Sequence, residues 1–226
     1  MNNFKPHWEV LPTEQLEIWP QLAASIKMGF VMYGGTAVAL RLGHRTSIDF
    51  DFFTERPLDR ENLEFGFPFL RHSRVIQSRQ DTLTVLAPVR TAHVKISFFG
   101  GIDIGRVGVP DCTPDGVAEI ASLRDLLATK LKVILQRIEA KDYRDIAAML
   151  RTDVELDEGL VAASALYGFN FQPSEAVKAL TYFDGGDLVT LPEDDKVLLT
   201  HAAANAGRSA VSGSVSHVLS AQASQS

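Results

Sequence analysis

The segment from Phe30 to Phe53, FVMYGGTAVALRLGHRTSIDFDFF, constrains the fold more than any other stretch of the chain. It opens on a short apolar run, Phe30 to Tyr33, and meets Gly34-Gly35, a pair suited to a tight turn. Thr36 to Leu42 continues with a helical pattern that Gly43 stops. From Ser47 to Phe53 the pattern alternates as a strand, with Asp49 and Asp51 on one face and Ile48, Phe50 and Phe52 on the other. A strand, a glycine turn, a helix and a second strand in this order specify a sheet with helices.

The neighbouring segments extend that pattern. Glu14 to Lys27 has a helical apolar rhythm, with Thr13 as its N-cap and Pro20 placed to bend or divide it. Asp59 to Leu70 is expected to be helical, and Arg74 to Arg79, Thr82 to Leu86 and Ala92 to Phe99 are predicted strands, the first two joined by a turn at Gln80-Asp81. From Ser122 the character changes, because Leu123, Leu126, Leu127, Leu131, Ile134, Leu135 and Ile138 recur at helical spacing. Asp142 to Leu150, Glu158 to Tyr167, Ser174 to Phe183 and Glu193 to Ala206 predict four more helices joined by short loops, as in a bundle. The fold class is therefore α+β, with a sheet-bearing domain over 1–121, a helical domain over 122–208 and a frayed tail over 209–226, rich in Ser, Ala, Gln and Val.

Asp49 and Asp51 are the first candidates for chemistry. Two carboxylates this close on a half-buried strand repel each other unless a hard cation such as Mg²⁺ bridges them; the alternative is an exposed polar strand face. Gly34 and Gly35 remove side chains where a helix begins and expose backbone N–H groups to a phosphate, and Thr36 can add a hydroxyl. Arg45 could neutralise phosphate charge beside Ser47, whereas His44 suits a helix end equally well. A grip on a triphosphate next to paired metal ligands meets both needs of nucleotidyl transfer.

GGTAVALRLGHRTSIDFDFF resembles the signature of the AbiEii/AbiGii nucleotidyltransferase toxins, within the polymerase-beta-like superfamily. KLKVILQRIEAKDYRDI is similar to the same family's second signature, so the resemblance covers roughly Val31 to Leu150. It implies a mixed sheet carrying the acids, a helical C-terminal half, Mg²⁺ or Mn²⁺ on Asp49 and Asp51, and a nucleoside triphosphate donor. An acceptor such as tRNA or a protein hydroxyl, and often a cognate antitoxin, are further implications. It also places a lysine such as Lys130 near the nucleotide phosphates and an aspartate such as Asp145 within the active site.

Read by themselves, the residues of that second signature place four charges facing inward. Lys130 has Leu126, Leu127, Val133 and Ile134 at its i±3 and i±4 positions, so its ammonium lies on an apolar face, and Arg137 follows on nearly the same stripe. Asp142 and Asp145 share the face of Ile146, Met149 and Leu150. A structural ion cluster is the alternative, most of all for Arg137 and Asp142. Where the superfold normally has a third carboxylate, HVKISFF offers His93, Lys95 and Ser97. Lys95 is a candidate phosphate ligand or an edge-strand lysine, and Asp145 is the first substitute for the acid. Two other readings stay open: a catalytically silent interaction protein, and an aspartate-nucleophile phosphatase with Asp49 as nucleophile.

Composition excludes several classes. With 46% apolar and 22% charged residues the chain can build a core, and one cysteine precludes an internal disulfide. MNNFKPHWEV lacks the pattern of a signal peptide and no apolar run approaches a membrane span, so a cytoplasmic location is expected. The net charge of −6 opposes a broadly basic nucleic-acid coat but would hide a local basic surface.

Overall fold

A computed structural model of the chain describes residues 4–207 and 214–222. It divides into two compact units, one ending at Ser122 and rejoined by the segment from Ser216, the other spanning Leu123–Val215. The first break lies one residue from the boundary expected at 121/122.

The first unit is a seven-stranded mixed sheet with helices. Helix α1 (Thr13–Ile18) and helix α2 (Ala24–Lys27) are separated by a 3-10 turn, Trp19–Leu22, with Pro20 in its first turn. Pro20 lacks the N–H an α-helix would use, and it divides the helix rather than bending it. Thr13 is the first helical residue rather than the cap, which Pro12 occupies. Strand β1 (Val31–Tyr33) runs into helix α3 (Gly34–Leu42), which begins at the glycines rather than after them and ends on Gly43. Strand β2 (Asp49–Phe53) follows, then helix α4 (Arg60–Gly66), whose N-cap Asp59 accepts the Asn62 amide at 3.1 Å. Pro68 opens a separate 3-10 turn, Pro68–His72, dividing the helix expected to reach Leu70.

Strands β3 (Arg74–Arg79), β4 (Thr82–Val89) and β5 (Ala92–Phe99) form an antiparallel meander; the three strands and the turn between the first two were expected, and β4 runs on past the expected Leu86 to Val89. Two short strands, β6 (Asp111–Cys112) and β7 (Glu119–Ile120), escape sequence reading because two residues carry no periodicity. The strand order is β3-β4-β5-β2-β1-β7-β6, with β2 antiparallel to β1 and parallel to β5. One face of this sheet is the core. Phe50, Phe52, Ile96 and Phe98 are fully buried there, and Phe52 stacks on Phe98 with ring centroids 5.7 Å apart. Each such side chain contributes about 1.5–3 kcal/mol by leaving water, which pins β2 in the register that turns Asp49 and Asp51 to the opposite face.

The expected frayed tail is corrected in part. Residues 209–213 and 223–226 lie outside the described residues, but Leu219 and Ser220 are fully buried. Ser216 forms an antiparallel bridge with Arg106, and the Leu219 amide donates to Glu55 at 3.1 Å. Buried Glu119 accepts the amides of Ala221 (3.1 Å) and Gln222 (3.2 Å). A carboxylate collecting backbone donors needs no bulky tail residue, so composition alone could not reveal this anchorage.

The second unit is helical. Helices α5 (Leu123–Val133), α6 (Ala140–Leu150), α7 (Leu156–Tyr167), α8 (Pro173–Ala179) and α9 (Glu193–Asn205) surround Leu126, Leu127, Leu131, Ile146, Met149, Ala163, Leu180 and Leu199. The apolar rhythm expected to continue to Ile138 leaves the α-helix after Val133. Helix α6 starts at Ala140, whose amide is capped by the Asp187 carboxylate at 2.6 Å. Among the described residues no helix is long and apolar enough to cross a membrane.

Candidate active site

The site is built where β1 turns into α3. Gly34 has φ +76°, a left-handed conformation that side chains disfavour, and a Cβ at this position would stand 2.5 Å from Asp51 Oδ2. The carboxylate of Asp51 therefore lies directly over the glycine backbone. Gly35 leaves room for side chains: a Cβ there would meet Arg45 Nη2 at 2.5 Å and Ser47 Oγ at 3.2 Å. The two glycines thus admit an acid and a guanidinium to the first turn of a nine-residue helix, whose N-terminal amides favour anions.

Thr36 is turned inward. Its hydroxyl hydrogen-bonds the Asp49 carbonyl oxygen, lies 2.9 Å from the Ser47 hydroxyl, and is buried with it. The residue that suggested a phosphate donor braces the start of β2 against α3 instead. Arg45 donates to the Thr46 carbonyl at 3.0 Å beside the glycine turn.

Asp49 and Asp51 project from one face of β2, both part-exposed, as the alternation predicted. On the parallel neighbour β5, Asp49 is level with Lys95 and Asp51 with Ser97. The Lys95 ammonium donates to Asp49 Oδ2 at 2.9 Å, so the position expected to hold a third acid carries a cation that neutralises the first. Next along this face is a cluster that sequence reading did not select. Tyr33 stacks on Phe53 at 4.9 Å, and Phe53 meets Phe99 edge-on at 5.0 Å. The period of two that links Asp49, Asp51 and Phe53 was the available signal.

Two carboxylate ligands suit a hard cation that keeps its waters and takes further oxygens from a triphosphate. Among the described residues no group of three or more His, Cys, Asp or Glu side chains converges on one point. The donor set fits a cation completed by substrate rather than a closed protein cage.

The second signature forms a cluster within the helical unit. Lys130 on α5 is buried, and its ammonium lies 2.6 Å from Asp142 Oδ1 and 2.6 Å from Asp145 Oδ2, both fully buried on α6. Arg137 donates to Asp142 through Nε at 2.9 Å and Nη2 at 3.2 Å. Burial would raise the Asp142 carboxyl, but the Arg137 hydrogen bonds and the Lys130 charge outweigh it and hold the group below the usual carboxylate range. These residues come together as the sequence suggested, and they tie α5 to α6.

Residues 22–181 match the family model described as nucleotidyl transferase AbiEii toxin, type IV toxin–antitoxin system. An uncharacterised protein of Aquifex aeolicus (strain VF5) is 33% identical over 160 residues, 69% of this chain and 74% of the relative. A crystal structure of an H. pylori protein described as a nucleotidyltransferase aligns with a TM-score of 0.55 at 18% identity, over 85% of this chain and 94% of that one. At that identity the likeness is one of fold.

Proposed function

We infer, from the premise that the chain belongs to the AbiEii nucleotidyltransferase toxin family, that it transfers a nucleoside monophosphate from a nucleoside triphosphate to a hydroxyl of an RNA acceptor such as tRNA, the hydroxyl losing its proton as it bonds the α-phosphorus and pyrophosphate leaving. The observation that carries this reading is the Asp51 carboxylate held over Gly34, with Asp49 on the same strand face.

In this mechanism the Gly34-Gly35 amides and Arg45 receive the triphosphate, and Thr36 and Ser47 keep β2 at a fixed height against α3. Asp49 and Asp51 would hold a divalent cation, Mg²⁺ or Mn²⁺, which supplies charge stabilisation for in-line displacement at the α-phosphorus. Lys95 neutralises Asp49 in the free protein and is within reach of phosphate once nucleotide binds. Lys130 and Asp145 belong to the catalytic set by resemblance. The double pairing of Lys130 favours a second role for it, locking α5 on α6, because a phosphate must compete with two carboxylates for its ammonium. A cognate antitoxin is the partner this family suggests, and the cell's cytoplasm the compartment in which such an acceptor is met.

A catalytically silent version of the fold is favoured by one observation, the Lys95 cation standing beside Asp49. The aspartate-nucleophile phosphatase is not favoured, since residues 44–48, which should form an apolar strand leading into the pair, are not a strand. The deciding experiment supplies each α-labelled nucleoside triphosphate, Mg²⁺ and total RNA. Label in RNA that disappears in Asp49→Asn and Asp51→Ala, both folded, supports the proposal. Label on protein alone moves the acceptor to a protein hydroxyl, and no turnover of any triphosphate by the wild-type chain overturns transfer.

A further inference from the structure

The acid-bearing face does not stop at β5. Directly paired residues of neighbouring strands point to the same side of a sheet, so the registers can be followed outward from β2. Asp49 is level with Lys95, Lys95 with Leu86, and Leu86 with Arg74. Asp51 is level with Ser97, Ser97 with Thr84, and Thr84 with Gln77. Phe53 is level with Phe99, Phe99 with Thr82, and Thr82 with Arg79. The result is a grid of three rows across four strands, with carboxylates at its inner edge and arginines at its outer edge.

Three features of the grid favour a polyanion. Its positions on β3, β4 and β5 include Lys95, Arg74 and Arg79 and no carboxylate, in a chain whose net charge is −6. Arg74, Gln77 and Arg79 are exposed, and the guanidinium groups of Arg74 and Arg79 make no ion pair among the described residues. Between arginines and acids, Thr84 and Ser97 are buried and spend their hydroxyls on each other at 3.3 Å, forming the floor of the face, while the part-exposed Phe99–Phe53 edge-on pair offers an aromatic surface. The span from Arg74 to Asp49 is three strand spacings, about 14 Å, enough for the last nucleotides of a strand.

We propose that this face is the docking platform for a single-stranded RNA end, whose backbone phosphates bind Arg74 and Arg79 while its terminal hydroxyl reaches Asp49 and Asp51. The proposal rests on nucleotidyl transfer at that acid pair. A protein strand adding to the exposed edge of β3 is disfavoured by the register shift between Val75 and Gln77, because a bulge breaks the regular row of edge donors and acceptors that strand addition needs. Arg60 also holds the hairpin, donating to the carbonyls of Arg79 and Thr82, contacts that do not involve the guanidinium groups of Arg74 and Arg79.

The test is fluorescence anisotropy with a 5′-labelled, mixed-sequence single-stranded oligoribonucleotide of about 12 nucleotides, titrated at several salt concentrations. The Arg74→Ala/Arg79→Ala double variant should bind on the order of tenfold more weakly, with the log–log salt slope reduced by about 1.4 for two lost contacts on a single strand. Arg74→Lys/Arg79→Lys should retain most of that slope. Unaltered affinity and slope in the alanine double variant overturn the proposal. So does absence of RNA binding by the wild type when labelled nucleotide still reaches a protein acceptor. Binding of a fluorescent nucleoside triphosphate, measured alongside, separates the two levels: its loss in the wild type refutes nucleotidyl transfer, whereas its persistence with unchanged RNA affinity in the double variant refutes only the platform.

Discussion

Replacing Gly34 by alanine separates the stability of the fold from the geometry of the acids. The backbone penalty comes from φ +76°, a left-handed conformation that costs an alanine about 1–2 kcal/mol. For a chain of this size that corresponds to a fall in melting temperature of roughly 2–8 °C. The steric penalty falls on Asp51, because a Cβ 2.5 Å from Oδ2 is about 0.9 Å short of the 3.4 Å at which ordinary contact begins. The carboxylate has room to move outward, being part-exposed, so the protein folds and the acid is displaced. A misplacement near 1 Å lowers catalysis on the order of a hundredfold, about 2.7 kcal/mol of barrier. Initial rates of label transfer at saturating nucleotide, Mn²⁺ binding by electron paramagnetic resonance and thermal melting measure the three consequences separately. Transfer and metal binding should fall far more than stability. Gly34→Ala with wild-type Mn²⁺ affinity and a rate within about threefold of wild type would refute the argument. Gly35→Ala is the internal comparison, since the atom in its way is the far end of the flexible Arg45 side chain, and its effect should be smaller.

Removing Lys130 leaves Asp142 and Asp145 buried without their shared cation, so Lys130→Ala should lose about 3–5 kcal/mol in urea unfolding; triphosphate affinity measured on the folded fraction then reports whether the lysine also serves the nucleotide. Asp142 is held below its usual value of 3.8, and a depressed carboxyl contributes stability above its unfolded pKa that is lost as pH falls through the folded one. The melting temperature should therefore hold at neutral pH and decline below about pH 4, while Asp142→Asn should melt lower at neutral pH with a shallower acid decline. Glu119→Ala removes the acceptor of the Ala221 and Gln222 amides; hydrogen exchange at those two amides should accelerate, with a stability loss of about 1–3 kcal/mol.

The sequence by itself determined the elements whose evidence is local. Alternation through SIDFDFF set both acids on one strand face and both core phenylalanines on the other, and the glycine pair marked the turn. The change of period near Ser122 marked where helical spacing takes over. The apolar face around Lys130 predicted that its charges would meet, and Asp142 and Asp145 do meet it. Pro20 marked the break in the early helix, whereas the elements of two residues and the seat of Leu219 were out of reach, because each depends on partners far along the chain. Pairing order was the largest such decision. That β5 lies parallel beside β2, and β4 and β3 beyond it, is decided by which faces bury best together in three dimensions, and nothing within any one strand records it. The tertiary structure thereby laid Lys95 on Asp49, turned Thr36 from the phosphate to the β2 backbone, and aligned Arg74 with Asp49 and Arg79 with Phe53 across the sheet.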